Sequence, residues 1–154
     1  MRGGDSLYLN HWMRKSGLAD LFPSLRDTVY LGVSGGSMVT APHVGEEFLN
    51  WKPPTGDDDA LGMVNFAFFP HLDHPDHPDL SIARAEPWAA GLPVPVPGYA
   101  IDNQTAISIR PGNVSAVSSH LRRVRIGAGR RTNPNASPVA EHECRCLLSF
   151  VPSH

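Results

Sequence analysis

The stretch Thr28-Val29-Tyr30-Leu31-Gly32-Val33-Ser34-Gly35-Gly36-Ser37 constrains this chain more than any other. A β-branched and aromatic run ends abruptly at a serine flanked by glycines, and residues 37–41 then read as the start of a helix. Gly32-x-Ser34-x-Gly36 is the pattern of a nucleophile elbow, in which a sharp strand-to-helix turn holds a hydroxyl clear of the backbone. The N–H of the following residue, Gly35, is then placed to help stabilise an oxyanion. Glycines suit such a turn because it needs positive φ values and close backbone approach. The same pentapeptide also occurs as a plain tight turn, so its chemistry depends on what lies downstream.

A serine nucleophile needs a base. Residues 63–69 form a second apolar run that ends in Pro70-His71, and a strand ending in a histidine delivers an imidazole to the end of a sheet. Between serine and histidine stand Glu46 and Glu47, either of which can orient the ring in the chain order Ser, acid, His. Asp102, after a later strand, is a third candidate acid, for orientation or for substrate contact. The competing reading of His71 is a surface histidine in a histidine-rich loop. That loop also carries His74 and His77 with Asp73, Asp76 and Asp79, a set that could bind zinc. Prolines between these residues and the lack of a helical i, i+4 pair tell against a metal site.

In order along the chain, Val33-Ser34-Gly35-Gly36-Ser37-Met38, Pro42-His43-Val44-Gly45-Glu46-Glu47-Phe48, Asp59-Ala60-Leu61-Gly62 and Phe69-Pro70-His71 resemble the S51 serine peptidases. That family includes aspartyl dipeptidases and the related cyanophycinase. Arg2-Gly3-Gly4-Asp5-Ser6-Leu7-Tyr8 resembles the family's glycine segment, and residues 99–107 resemble its late strand. The resemblance covers roughly residues 2–118. It implies a Ser-His-Glu triad of Ser34, His71 and Glu47 or Glu46, with a second oxyanion donor from Gly3 or Gly4. It also implies a short peptide substrate with an N-terminal aspartyl residue, whose carboxylate would need a cation such as Arg84 or Arg2. The chain departs from the family in three ways. Ser-Gly-Gly stands for Ser-Ala-Gly, the strands expected before the glycine segment are absent, and the tail from about His120 is unlike the family's ending.

Alternation of strand and helix signals an α/β sheet, with the site at the carboxyl ends of the strands. With the resemblance, the expected fold is a partial doubly wound sheet, flavodoxin-like or class I glutamine amidotransferase-like, mostly parallel and lacking its first strands. A helix is predicted from Asp5 or Ser6 to Ser16, capped by one of the first two and ended by Gly17. Strands are predicted over 28–33, 63–69 and 94–101, with Pro95 and Pro97 disturbing the last. A helix over 80–90 is capped by Asp79 and kinked by Pro87, and residues 105–118 form a hairpin.

The full sequence of 154 residues fits one domain, over residues 1–118, followed by a tail at 119–154 that loses hydrophobic periodicity and reads as disordered and basic. A net charge of −2 gives no case for nucleic acid or an anionic membrane surface. No run approaches the ~20 apolar residues of a spanning helix, and no signal peptide is visible, so a cytoplasmic address is expected. Cys144 and Cys146 are two ligands at most, short of a zinc site. No cofactor is expected for serine chemistry. The competing function is a non-catalytic remnant. Without flanking strands, residues 28–33 would keep an open edge that invites self-association.

Overall fold

The computed structural model describes residues 4–118, 124–126 and 145–149. Helix α1 (Ser6–Lys15) begins where the sequence predicts. The Asp5 side chain accepts a hydrogen bond from the Tyr8 N–H at 2.8 Å, and Arg14 and Lys15 sit in the last turn where they favour the helix dipole. Gly17, with φ of +78°, turns the chain into the short helix α2 (Leu18–Leu21).

Strand β1 (Val29–Gly32) runs into helix α3 (Gly35–Met38) through the predicted elbow. After a long connection come β2 (Ala67–Phe69), α4 (Ile82–Gly91) and β3 (Gly98–Ala100). Strands β2 and β3 pair in parallel, as a strand–helix–strand crossover requires. The strand expected over 94–101 shrinks to its last part because Pro95 and Pro97 have no N–H to give a ladder. The helix expected from Leu80 starts at Ile82, with Ser81 rather than Asp79 at its N-cap, and it runs through Pro87.

Strands β4 (Thr105–Arg110) and β5 (Asn113–Ser118) form the predicted hairpin. Its turn is Pro111-Gly112, with Gly112 at φ +69° in the left-handed position such a turn reserves for glycine. Two further strands, β6 (Val124–Ile126) and β7 (Arg145–Ser149), fall inside the segment that composition reads as disordered. Strand β7 lies between β1 and β4, parallel to the first and antiparallel to the second, in the order β1-β7-β4-β5. The second sheet has the order β2-β3-β6. The architecture is a partial doubly wound, flavodoxin-like α/β fold, with β1 at the end of its sheet among the described strands. Arg2, Gly3 and Cys144 lie outside the described residues.

The core gathers where α4 covers β2 and β3. Phe68, Phe69, Ala67, Ala85, Trp88 and Ala100 are all buried. Trp88 donates its Nε1–H to the Val44 carbonyl at 3.1 Å and stacks edge-on against Phe69. Gly45 and Gly98 both lie against its indole, where a Cβ would collide. This packing fixes the end of β2 and, with it, the residue two places on, His71. No helix among the described residues is long and apolar enough to cross a membrane.

Candidate active site

The elbow is built by strain held in a tight frame. Among the described residues, three non-glycine positions have φ in the left-handed region: Ser34 at +52°, His71 at +56° and Asp73 at +55°. Such a conformation costs on the order of 1–3 kcal/mol and persists only where the surroundings over-determine it. At Ser34 they do. The Ser34 carbonyl accepts from the N–H groups of Ser37 (2.8 Å) and Met38 (3.0 Å), and Gly36 N–H donates to Val33 at 2.9 Å. The Tyr30 hydroxyl, from β1, donates to the Gly36 carbonyl at 2.6 Å. Gly32 and Gly35 admit close backbone: a Cβ on Gly32 would meet Gly36 O at 2.5 Å, and one on Gly35 would overlap the Gly4 carbonyl.

The structure brings Ser34 and His71 together. Ser34 Oγ lies 3.0 Å from His71 Nε2, hydrogen-bonding distance for a nucleophile and its base. Strands β1 and β2 are not paired with each other, so convergence comes from the two loops at their ends and not from a shared ladder. On the other ring nitrogen, His71 Nδ1 lies 2.6 Å from Asn103 Oδ1. The topology explains this meeting. Parallel pairing puts the ends of β2 and β3 side by side, with Phe69 opposite Ala100, Ile101 N–H donating to Phe69 and Leu72 N–H donating to Ile101. The residues that leave the two strands next, His71 and Asn103, therefore share one end of the sheet.

Among the described residues the partner of His71 Nδ1 is Asn103, where Glu46 or Glu47 is expected. Glu46 and Glu47 lie exposed on a 3₁₀ turn (Glu46–Phe48), and Glu47 Oε2 is 3.8 Å from Arg84 Nε. Two residues expected in separate roles thus pair with each other, and the pair is too exposed to contribute much to stability. Asp102 also serves locally. Its Oδ1 accepts from Gln104 N–H at 3.0 Å and Thr105 Oγ1 at 2.7 Å, closing the turn that presents Asn103. Gly4 does reach the elbow, but the contact it makes with Gly35 is through its carbonyl. Asn103 was missed because an amide in a loop carries no sign of its own. The signal that finds it is the predicted strand–helix–strand order, which puts the residues after both strands at one end.

Burial of the ring pushes the His71 pKa below its ordinary 6.5. The Asn103 hydrogen bond opposes that shift, and the charges of His74 and His77 add to it. The three imidazoles cluster, with ring centroids 6.1 Å (His71–His74), 6.4 Å (His71–His77) and 5.2 Å (His74–His77) apart. Both His71 nitrogens have protein partners, and His74 Nδ1 accepts from Asp76 N–H at 3.1 Å, so neither His71 nor that nitrogen of His74 is open to a metal as the loop stands. A different group does draw together: His43 Nδ1 lies 3.2 Å from Asp58 and 3.1 Å from Asp59. Asp58 also accepts from the Gly45 N–H, so the group ties residues 43–45 to the loop at 58–59.

A strained serine at a strand–helix turn and a histidine on its hydroxyl have the geometry that a nucleophile and its base would need, and they come from the segments that carry the family likeness. No curated protein and no solved structure matches the chain. The family model described as Peptidase family S51 matches residues 1–117, which include every residue of the pair and its surroundings. The chain belongs to peptidase family S51.

Proposed function

We propose that this chain is a cytoplasmic serine hydrolase that cleaves short peptides bearing an N-terminal aspartyl residue. The observation that carries the reading is the 3.0 Å contact between Ser34 Oγ and His71 Nε2 at a strained elbow. In acylation, Ser34 Oγ attacks the scissile carbonyl carbon while its proton passes to His71 Nε2. Gly35 N–H stabilises the oxyanion, with Gly4 the neighbouring candidate for a second donor; one such donor is worth roughly 3 kcal/mol. His71 then returns the proton to the leaving amine. Water, deprotonated by the same nitrogen, releases the acyl group from Ser34. Arg84 is the cation offered to the substrate's carboxylate, once it leaves Glu47.

The test is labelling with a fluorophosphonate, followed by turnover of Asp-Leu. Ser34 should be the modified residue, and Ser34→Ala should abolish both labelling and turnover. Undiminished labelling of that variant would overturn the assignment. Self-association through β1 is a separate part of the proposal, because Val29 and Leu31 are 61% and 47% exposed on one face of this strand, which lies at the end of its sheet among the described strands. Leu31→Lys should then lower the apparent mass in sedimentation, and an unchanged mass would remove the edge as the cause.

A further inference from the structure

We propose that Asn103 is the positioning residue of this site: its amide oxygen fixes His71 with a proton on Nδ1 and a lone pair on Nε2, yet lends no negative charge to the imidazolium that catalysis creates. The inference rests on the reading of Ser34 and His71 as nucleophile and base, and it deepens that reading.

Tautomer comes first. A carbonyl oxygen only accepts, so the 2.6 Å contact places the ring proton on Nδ1. Nε2 is then an acceptor and takes the Ser34 hydroxyl at 3.0 Å, the arrangement a general base needs. The amide is held for this task. Asp102 closes the turn behind it through Gln104 and Thr105, while the parallel β2–β3 ladder sets the distance between the two loops. On the other side, the left-handed backbone at His71 aims its ring between the two partners.

Charge comes second, and here the site differs from a Ser–His–carboxylate triad. When Nε2 takes the serine proton, the ring becomes a cation. From its own loop that cation meets His74 and His77; from the turn after β3 it meets neutral Asn103, and from the elbow neutral Ser34. Among the described residues, desolvation and the two histidines act against the cation, and the Asn103 hydrogen bond acts for it. Where a triad aspartate becomes an asparagine, kcat falls about 10⁴-fold, with the wrong tautomer as the cause. The Asn103 contact keeps the right tautomer and supplies no carboxylate charge of its own. The arrangement is a base held in its reactive tautomer by a neutral partner.

The experiment compares the full chain with Asn103→Asp and Asn103→Ala, read in two ways. Nitrogen-15 spectra of the His71 ring, assigned against His71→Ala, give its tautomer and titration midpoint without any turnover. Fluorophosphonate labelling across pH gives the reactivity of Ser34. The native ring should carry its proton on Nδ1. Asn103→Asp should raise the midpoint by about one pH unit or more, since a carboxylate within ~4 Å favours the charged ring by that much. It should also speed labelling about tenfold at pH 8. Asn103→Ala should lower the midpoint and slow labelling by a factor of about 10–100. A native ring protonated on Nε2 would overturn the proposal, as would a His71 midpoint that neither variant moves. Asn103→Asp is nearly isosteric, so the test survives if Asn103→Ala unfolds. If Ser34 is never labelled while the midpoints move as stated, Asn103 keeps its role and the hydrolase reading falls.

Discussion

The hydroxyl of Tyr30 donates to the carbonyl of Gly36 across the nucleophile turn, at 2.6 Å. It joins the strand that enters the elbow to the helix that leaves it, and so spans Ser34. Removing that hydroxyl leaves a part-buried carbonyl short of a partner. Tyr30→Phe should cost about 1 kcal/mol of stability. It should also slow fluorophosphonate labelling several-fold, because the strained Ser34 conformation loses one of its restraints. Denaturant melts and labelling rates measured together check this; unchanged labelling would mean that the backbone bonds of Ser37 and Met38 suffice.

Gly32 and Gly91 make a matched pair of glycine tests. A methyl on Gly32 would meet Gly36 O at 2.5 Å and Ser37 N at 2.9 Å, all backbone, whereas a methyl on Gly91, in α4, would meet nothing within 4 Å. Gly32→Ala should lose about 1–3 kcal/mol by overpacking and most of the labelling with it. Gly91→Ala should be neutral or gain up to about 1 kcal/mol. Equal melts for the two variants would show that the elbow backbone can shift aside.

His71 also links stability to pH. Its folded pKa lies below the 6.5 of the unfolded chain, so the fold favours the neutral ring. Above pH 6.5 this contribution is fully present. As pH falls from 6.5 through the lower folded value, the unfolded chain binds the proton first and the contribution is lost. Between pH 8 and pH 5 the native chain should therefore lose more melting temperature than His71→Gln. Parallel losses would place the acid sensitivity elsewhere.

Within the histidine loop, only His71 is bonded to Ser34. His71→Ala should abolish labelling, while His74→Ala and His77→Ala should leave it within a few-fold. A chelator should change nothing, because both nitrogens of His71 already have protein partners. Loss of labelling on chelation, restored by zinc, would instead support the metal-binding reading of that loop.

What was legible in the sequence was local. Asp5 announces α1 because a carboxylate beside three free N–H groups is a short-range effect, and it caps the helix as expected. The elbow and the strand-end histidine are likewise patterns of a few residues. What was not legible was long-range. Glu46 and Glu47 look like triad acids by their position between serine and histidine, but Arg84, from another element, is the partner of Glu47. Asn103 reaches His71 only because β2 and β3 run parallel. Strand β7 lies in a stretch whose composition reads as mostly disordered, and its place is set by the open side of β1 and β4.

That last strand has a consequence for how the protein is made. Val29 is paired with Arg145, and Gly32 with Leu148, on the order of a hundred residues later in synthesis. At ribosomal speed β1 waits roughly 6–25 s for its neighbour. During the wait the nascent chain presents Val29 and Leu31 beside an unsatisfied ladder, while β2, α4 and β3 are already free to assemble. The elbow at Ser34 follows β1 directly, so the strand that enters it is without this neighbour until β7 is made. Translation speed between the two strands, and the chaperones that meet β1 before β7 emerges, would set how much of the chain becomes competent.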